Sequence, residues 1–311
     1  MSRKEVFAVA QMGPVHLADS REKTVKRLIE MLKEAHGRGA KWVTFPELAL
    51  TTFFPRYVYE EPSQYDAFFE EGTPSPAMQP LFDEAKRLGV GFYLGYAEKI
   101  AEAGTTRRFN TCILVGPDGA ILGKYRKIHL PGTMDPVGDP EFEHLEKRYF
   151  EVGNLGFPTF KTPTARMGMC ICNDRRWPEA FRVMALAGAE LFMLGYNTPT
   201  RNIHYAEPVH LRQFHHMLSL QAAAYQNAAW VLAAAKCGAE DGFAMIGGSA
   251  IVAPTGEVAV KAMSEDDEVI TYDCDLDLGA YIRRTVFDFA RHRRPEFYGA
   301  IVDQVGIEIP E

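Results

Sequence analysis

The chain has no long apolar run, no leader-like N-terminus and no excess of positive charge. No apolar stretch approaches the roughly 18 residues of a membrane-crossing helix. Met1-Ser2-Arg3-Lys4-Glu5 runs straight into a strand-like segment with no apolar leader core. Both absences point to a cytoplasmic protein with no membrane partner. Lys and Arg number 34 against 41 Asp and Glu, a net charge of -7. A nucleic-acid partner is not expected, because phosphate backbones need a cationic face. Cysteine is scarce and odd in number, five in 311 residues, at positions 112, 170, 172, 237 and 274. A disulfide framework is not expected from so few, so widely spread. There is no Cys-x-x-Cys pair, and Cys170-x-Cys172 has no nearby His-rich segment, so no metal site is expected. His210, His215 and His216 lack the i, i+4 spacing of a zinc pair and read as surface or packing residues. Gly247-Gly248-Ser249 is not a serine-hydrolase elbow, and no phosphate-binding glycine loop is present. No repeat, low-complexity stretch or linker divides the chain. One domain over 1–311 is expected, with 47% apolar residues to fill its core.

Short runs rich in β-branched and aromatic residues recur at 6–12, 42–45, 90–96, 111–115, 167–172, 191–196, 230–235, 249–253 and 269–272. Each has strand length. Helical patterns lie between many of them. Val25, Leu28, Ile29 and Leu32 share one face, Asp19 with Glu22 resembles a capping box, and Gly37 is a stop. Further helices are predicted over 80–88, over 178–187 and around Leu211 to Tyr225. Gly116-Pro117-Asp118-Gly119 and Pro254-Thr255-Gly256-Glu257 read as hairpin turns. Strands alternating with helices, mixed with hairpins, place the chain in the α/β class.

Three chemical groups end or follow apolar runs: Glu47 in Phe45-Pro46-Glu47, Lys127 in Lys124-Tyr125-Arg126-Lys127, and Cys172 in Cys172-Asn173-Asp174-Arg175-Arg176-Trp177-Pro178-Glu179. Taken singly, each has a plain structural reading: a buried small thiol, a helix-start carboxylate, a solvated basic turn. Together they supply what cleavage of an amide or ureido C–N bond needs. Cys172 is the nucleophile candidate. Glu47 would take its proton and later protonate the departing nitrogen. Lys127, with a backbone N–H just after Cys172, would hold the oxyanion. A thiol exposed at a strand end, near Lys127 and a helix N-terminus, is expected to have a lowered pKa. Cys170, two residues earlier on an extended strand, would face the same side, as packing or as a partner for oxidative coupling.

The order and context of these three motifs resemble the nitrilase superfamily, over nearly the whole chain. That resemblance implies an α-β-β-α sandwich, with two central mixed sheets flanked by helices. It implies a Glu-Lys-Cys triad, a covalent thioester-like intermediate, no cofactor, and homodimers or homotetramers formed through helical faces. It also assigns Glu146, in His144-Leu145-Glu146-Lys147-Arg148-Tyr149-Phe150, as a second acid orienting the lysine and the substrate.

Directly after Cys172, where many relatives carry an aromatic residue, this chain has Asn173, followed two residues on by Arg175 and Arg176. Adjacent guanidinium groups suit a carboxylate substrate, or else a structural ion pair to Asp174 or Glu179. These residues, with Gly195-Tyr196-Asn197-Thr198-Pro199-Thr200, resemble the N-carbamoyl-D-amino-acid hydrolases. That branch implies hydrolysis of a small N-carbamoyl-D-amino acid to the amino acid, carbon dioxide and ammonia. It implies a pocket lined by His144, Asn173, Arg175, Arg176, Asn197 and Thr198, with His129 supporting the site. The same triad would serve a β-ureido acid, a carbamoylated polyamine, an aliphatic amide or a nitrile. A cationic polyamine fits poorly beside two arginines. A binding module without turnover is disfavoured because Glu47, Lys127 and Cys172 are all present.

Overall fold

The computed structural model describes residues 2–139, 143–201 and 208–307. In chain order the strands are β1 Lys4–Gln11, β2 Trp42–Thr44, β3 Phe69–Glu71, β4 Gly91–Glu102, β5 Thr105–Val115, β6 Ile121–Arg126, β7 Thr159–Lys161 and β8 Arg166–Ile171. They continue with β9 Leu191–Tyr196, β10 Trp230–Ala235, β11 Cys237–Glu240, β12 Phe243–Ile246, β13 Ala250–Val252, β14 Val258–Lys261 and β15 Glu268–Asp275. One sheet runs β15-β1-β2-β4-β5-β6, with β3 beside β4; the other runs β14-β13-β10-β9-β8-β7. The middle strands of each are parallel: β1, β2 and β4 in one, β8, β9 and β10 in the other. Parallel neighbours need crossovers. Helices Arg21–Gly37, Gln79–Leu88, Pro178–Leu186 and Val209–Asn227 supply them. Strands β5, β6, β7, β13, β14 and β15 pair antiparallel with their neighbours, and β5 and β6 join by a tight turn at Gly116–Gly119.

Period-two alternation explains how the layers stack. Phe7, Val9, Trp42 and Tyr93 point between the sheets, against Met167, Met169, Ile171 and Leu232 of the second sheet. Their neighbours Ala8, Ala10, Val43 and Phe92 point outward, under Val25, Leu28, Leu32, Leu81 and Phe82 of two helices. Phe181, Met184, Leu220 and Ala224 cover the outer face of the second sheet. Each such large apolar side chain contributes about 1.5–3 kcal/mol on burial. The result is an α-β-β-α sandwich with two mixed sheets.

Three local expectations change. Ser20, not Asp19, caps the first helix by accepting the Lys23 N–H at 3.1 Å; the Asp19 carboxylate instead takes Lys23 Nζ at 2.6 Å. Strands β4 and β5 extend well beyond their apolar cores. Their polar ends pair as a ribbon across an Ala103-Gly104 turn with φ of 50° and 79°, which apolarity does not report. The β11–β12 ribbon and helix Leu276–Arg284 lie outside the expected elements, although Phe243-Ala244-Met245-Ile246 is itself a short apolar run.

Candidate active site

The chemical groups sit on the loops that leave the strands. Glu47 follows β2, Lys127 follows β6, Cys172 follows β8, and Asn197 and Thr198 follow β9. Glu146 opens a single helical turn, Glu146–Tyr149. The Glu47 backbone is gripped between two glycines. A Cβ at Gly95 would lie 2.7 Å from Glu47 Cα, and one at Gly195 would lie 2.5 Å from Glu47 N. Only glycine permits so close an approach. Leu48 and Cys172 are both left-handed, with φ of 42° and 48°. Non-glycine residues in this region cost on the order of 1–3 kcal/mol, so the surroundings must hold them there. At Cys172 the clamp is Asp174. Its carboxylate accepts the Ile171 N–H at 3.0 Å, the Tyr125 hydroxyl at 2.8 Å and the His129 N–H at 3.1 Å. His129 Nδ1 lies 2.8 Å from the same carboxylate, and its ring stacks on Trp177.

A buried network joins the acids and the amine. Lys127 Nζ donates to Glu47 Oε1 at 2.7 Å and to Glu146 Oε2 at 2.5 Å, with all three side chains at 0% exposure. His144 Nε2 lies 3.0 Å from Glu146 Oε1, and Phe53 packs edge-on against the His144 ring. Asn110 Nδ2 donates to Glu47 Oε1 at 2.8 Å. Asn197 braces Glu47 twice: its N–H donates to Oε2 at 2.8 Å, and its side-chain amide donates to the Glu47 carbonyl at 2.7 Å. Cys172 Sγ lies 3.8 Å from the Asn197 carbonyl and 3.9 Å from Thr198 Oγ1. Arg175 donates to the Cys172 carbonyl at 2.7 Å and to Thr198 Oγ1 at 2.9 Å, with its guanidinium over the Tyr196 ring at 4.8 Å.

Electrostatics follow from burial. Desolvation pulls the Lys127 ammonium down, but Cys172, Glu146 and Glu47 outweigh it, and its pKa ends above the ordinary lysine value. Desolvation pushes Glu146 up, yet Lys127 and His144 hold its carboxyl below the usual range. The Cys172 thiol is raised: burial and the Glu47 charge outweigh Lys127 and Arg175, which lower it. This corrects the expectation of an exposed thiol with a lowered pKa. Cys172 is 3% exposed, and a short 3-10 turn, Cys172–Arg176, stands between it and the helix at Pro178. Thiolate formation must therefore be coupled to a proton acceptor.

Glu47, Lys127 and Glu146 come together as one hydrogen-bonded set, and His144, Asn197, Thr198 and Arg175 close around it and Cys172. Arg175 is 2% exposed and, among the described residues, makes no contact with a carboxylate; Asp174 is committed to Tyr125, His129 and Ile171. Arg176 is exposed and donates to Asn173 Oδ1 at 3.0 Å, while Asn173 Nδ2 donates to the His129 carbonyl at 3.1 Å. These two lie at the rim. Arg175 Nε, His144 Nδ1 and Asn197 Oδ1 are buried and unpartnered, as expected where a polar ligand binds. Cys170 carries a free thiol in the core, where burial, Asp174 and Cys112 push it well up. Asn110 and Gly95 have no chemical signal in the sequence, and Gly195 is legible there only as the head of the Gly195–Thr200 segment. A Gly ending the apolar core of each flanking strand was the available signal for the two glycines. Among the described residues, no cluster of His, Cys, Asp and Glu could hold a metal, and no helix is long and apolar enough to cross a membrane.

The carbon-nitrogen hydrolase family model matches residues 7–284. A nitrilase of Pyrococcus abyssi is 30% identical over 292 residues, 94% of this chain and 98% of that one. An N-carbamoylputrescine amidase of Arabidopsis thaliana is 30% identical over 287 residues, 89% of each chain. The crystal structure of a carbon-nitrogen hydrolase from Helicobacter pylori superposes with a TM-score of 0.81 at 26% identity, covering 97% of this chain and 99% of that one. The chain belongs to the carbon-nitrogen hydrolase family, within the nitrilase superfamily. It is an α/β amidohydrolase of that family's fold.

Proposed function

We propose that the protein hydrolyses N-carbamoyl-D-amino acids to the D-amino acid, carbon dioxide and ammonia. Glu47 accepts the Cys172 proton, and the thiolate attacks the ureido carbonyl carbon. Lys127 and the N–H after Cys172 stabilise the oxyanion. Glu47 returns the proton to the departing nitrogen, then takes one from the water that releases the covalent intermediate. The triad is common to many amidohydrolases, so specificity must lie in what surrounds it.

One observation carries the choice of substrate: Arg175 is a buried cation without a carboxylate partner among the described residues, with Nη1 3.7 Å from Cys172 Sγ. Buried charges are normally paired. A substrate carboxylate would supply the missing charge and accept two parallel hydrogen bonds. The same cation opposes the ammonium of a carbamoylated polyamine, although a relative at 30% identity bears the name N-carbamoylputrescine amidase. The D preference rests on the likeness of the Cys172–Glu179, His144–Phe150 and Gly195–Thr200 segments to N-carbamoyl-D-amino-acid hydrolases. Val183, Leu186, Phe214 and Leu218 are exposed on the outer helices and support a homodimer or homotetramer through that face.

The test is ammonia release from paired N-carbamoyl-D- and N-carbamoyl-L-amino acids, by the wild type and Cys172→Ala. β-Ureidopropionate, carbamoylputrescine and a simple nitrile serve as controls. Turnover of the D-compounds, absent in the variant, is expected. Turnover of carbamoylputrescine or the nitrile alone would overturn the role of Arg175.

A further inference from the structure

Asn110 lies on β5 at 0% exposure, in the middle of the buried charges. Its carbonyl accepts the Lys127 N–H at 2.8 Å. Its side-chain amide donates to Glu47 Oε1 at 2.8 Å and lies 3.5 Å from Glu146 Oε2. Its own Oδ1 is buried without a partner. An orphaned buried acceptor is costly. What the amide does supply is a donor aimed at one oxygen of Glu47.

Each carboxylate oxygen offers about two lone-pair directions. Glu47 Oε1 receives Lys127 Nζ and Asn110 Nδ2, and so is filled. Among the described residues, Glu47 Oε2 receives only the Asn197 N–H. One direction on Oε2 stays open. We propose that Asn110 is a positioning residue that, with Lys127, saturates Glu47 Oε1 and so dedicates Oε2 to proton transfer with the Cys172 thiol.

Loss of the Asn110 side chain would remove one of the two donors at Glu47 Oε1. The groups facing Glu47 are Lys127, Cys172 and Glu146 within the site, with Lys236 and Tyr93 beyond. None of them can replace an amide donor at Oε1. This assignment rests on Glu47 acting as the base.

The experiment compares Asn110→Leu and Asn110→Asp with the wild type. The first removes the donor at similar volume; the second keeps the shape and puts an acceptor in its place. Two readouts are followed against pH: kcat/KM, and the rate of Cys172 alkylation by iodoacetamide. Alkylation needs no knowledge of the substrate, so failure of the proposed substrate leaves this test intact. Glu47→Gln is the control: if it keeps activity, the reading of Glu47 as base fails separately.

For Asn110→Leu the low-pH inflection of both profiles is expected to rise by about one unit. Its kcat is expected to fall about tenfold to a hundredfold, as for loss of a hydrogen bond to a charged group, with KM little changed. Asn110→Asp should lose at least as much. Unmoved inflections, or an Asn110→Asp variant milder than Asn110→Leu, would show that only packing matters and overturn the proposal. Failure of both variants to fold, judged by circular dichroism against Cys172→Ala, would also overturn it in favour of a structural role.

Discussion

Replacing Arg175 by methionine separates substrate recognition from stability. The side chain is buried and, among the described residues, has no acidic partner to strand, so its removal leaves no uncompensated charge there. The losses are its hydrogen bonds to the Cys172 carbonyl and Thr198 Oγ1. Such neutral acceptors cost about 1–3 kcal/mol when orphaned, and relief of a desolvated cation offsets part of that. The fold should survive, with a small change in Tm. Catalysis of a carboxylate substrate should not. Truncating one partner of a buried, hydrogen-bonded charge pair costs about 2–5 kcal/mol, which is roughly 30-fold to several thousand-fold in kcat/KM. Arg175 also lowers the Cys172 thiol, so some loss will fall on every substrate. The assay therefore measures kcat/KM for an N-carbamoyl-D-amino acid and for its uncharged methyl ester, in the wild type and Arg175→Met. The acid should lose far more than the ester. Equal losses would mean that Arg175 acts only on the thiol or the loop, and the carboxylate argument would be wrong.

Gly195→Ala should reduce kcat about a hundredfold with a lowered Tm, because the added Cβ would lie 2.5 Å from Glu47 N and displace the base; unchanged kinetics would refute the grip. Lys236 and Glu240 form a buried pair at 3.1 Å beneath the Glu47 loop, with Lys236 also donating to the Thr51 carbonyl. Lys236→Met should cost about 3–5 kcal/mol in urea unfolding, because it leaves the buried Glu240 carboxylate without its counter-charge; a loss below about 1 kcal/mol would refute the pairing. Burial raises Glu98, but Arg126 and Lys124 hold its carboxyl below the usual glutamate range. A depressed carboxyl stabilises the fold above its unfolded pKa and loses that contribution as pH falls through the lower folded value. The Tm of Glu98→Gln should accordingly fall less than the wild type's on acidification below about pH 4.5, and parallel curves would contradict this.

The sequence showed the layer pattern because period-two and period-3.6 burial leave direct marks, as in Phe7, Val9 and Ala8, Ala10. It showed the acid, amine and thiol because each ends an apolar run. Glu146 needed the family resemblance, since a lone Glu in a charged segment has no local signal of burial. The direction of the Cys172 shift is not legible in the sequence because it depends on burial, which wins over Lys127 and Arg175. Asn110 sits in an ordinary strand, and its role arises only when β5 meets the loops after β2 and β6. The glycines at 95 and 195 matter only because two sheets close on one backbone segment.

The most direct measurement is mass spectrometry of enzyme quenched during turnover of an N-carbamoyl-D-amino acid isotope-labelled at the ureido carbon. The expected result is labelled carbon on the peptide carrying Cys172, depleted in Arg175→Met and absent from Cys172→Ala. Turnover at full rate in Cys172→Ala, or label on any other residue, would contradict the account.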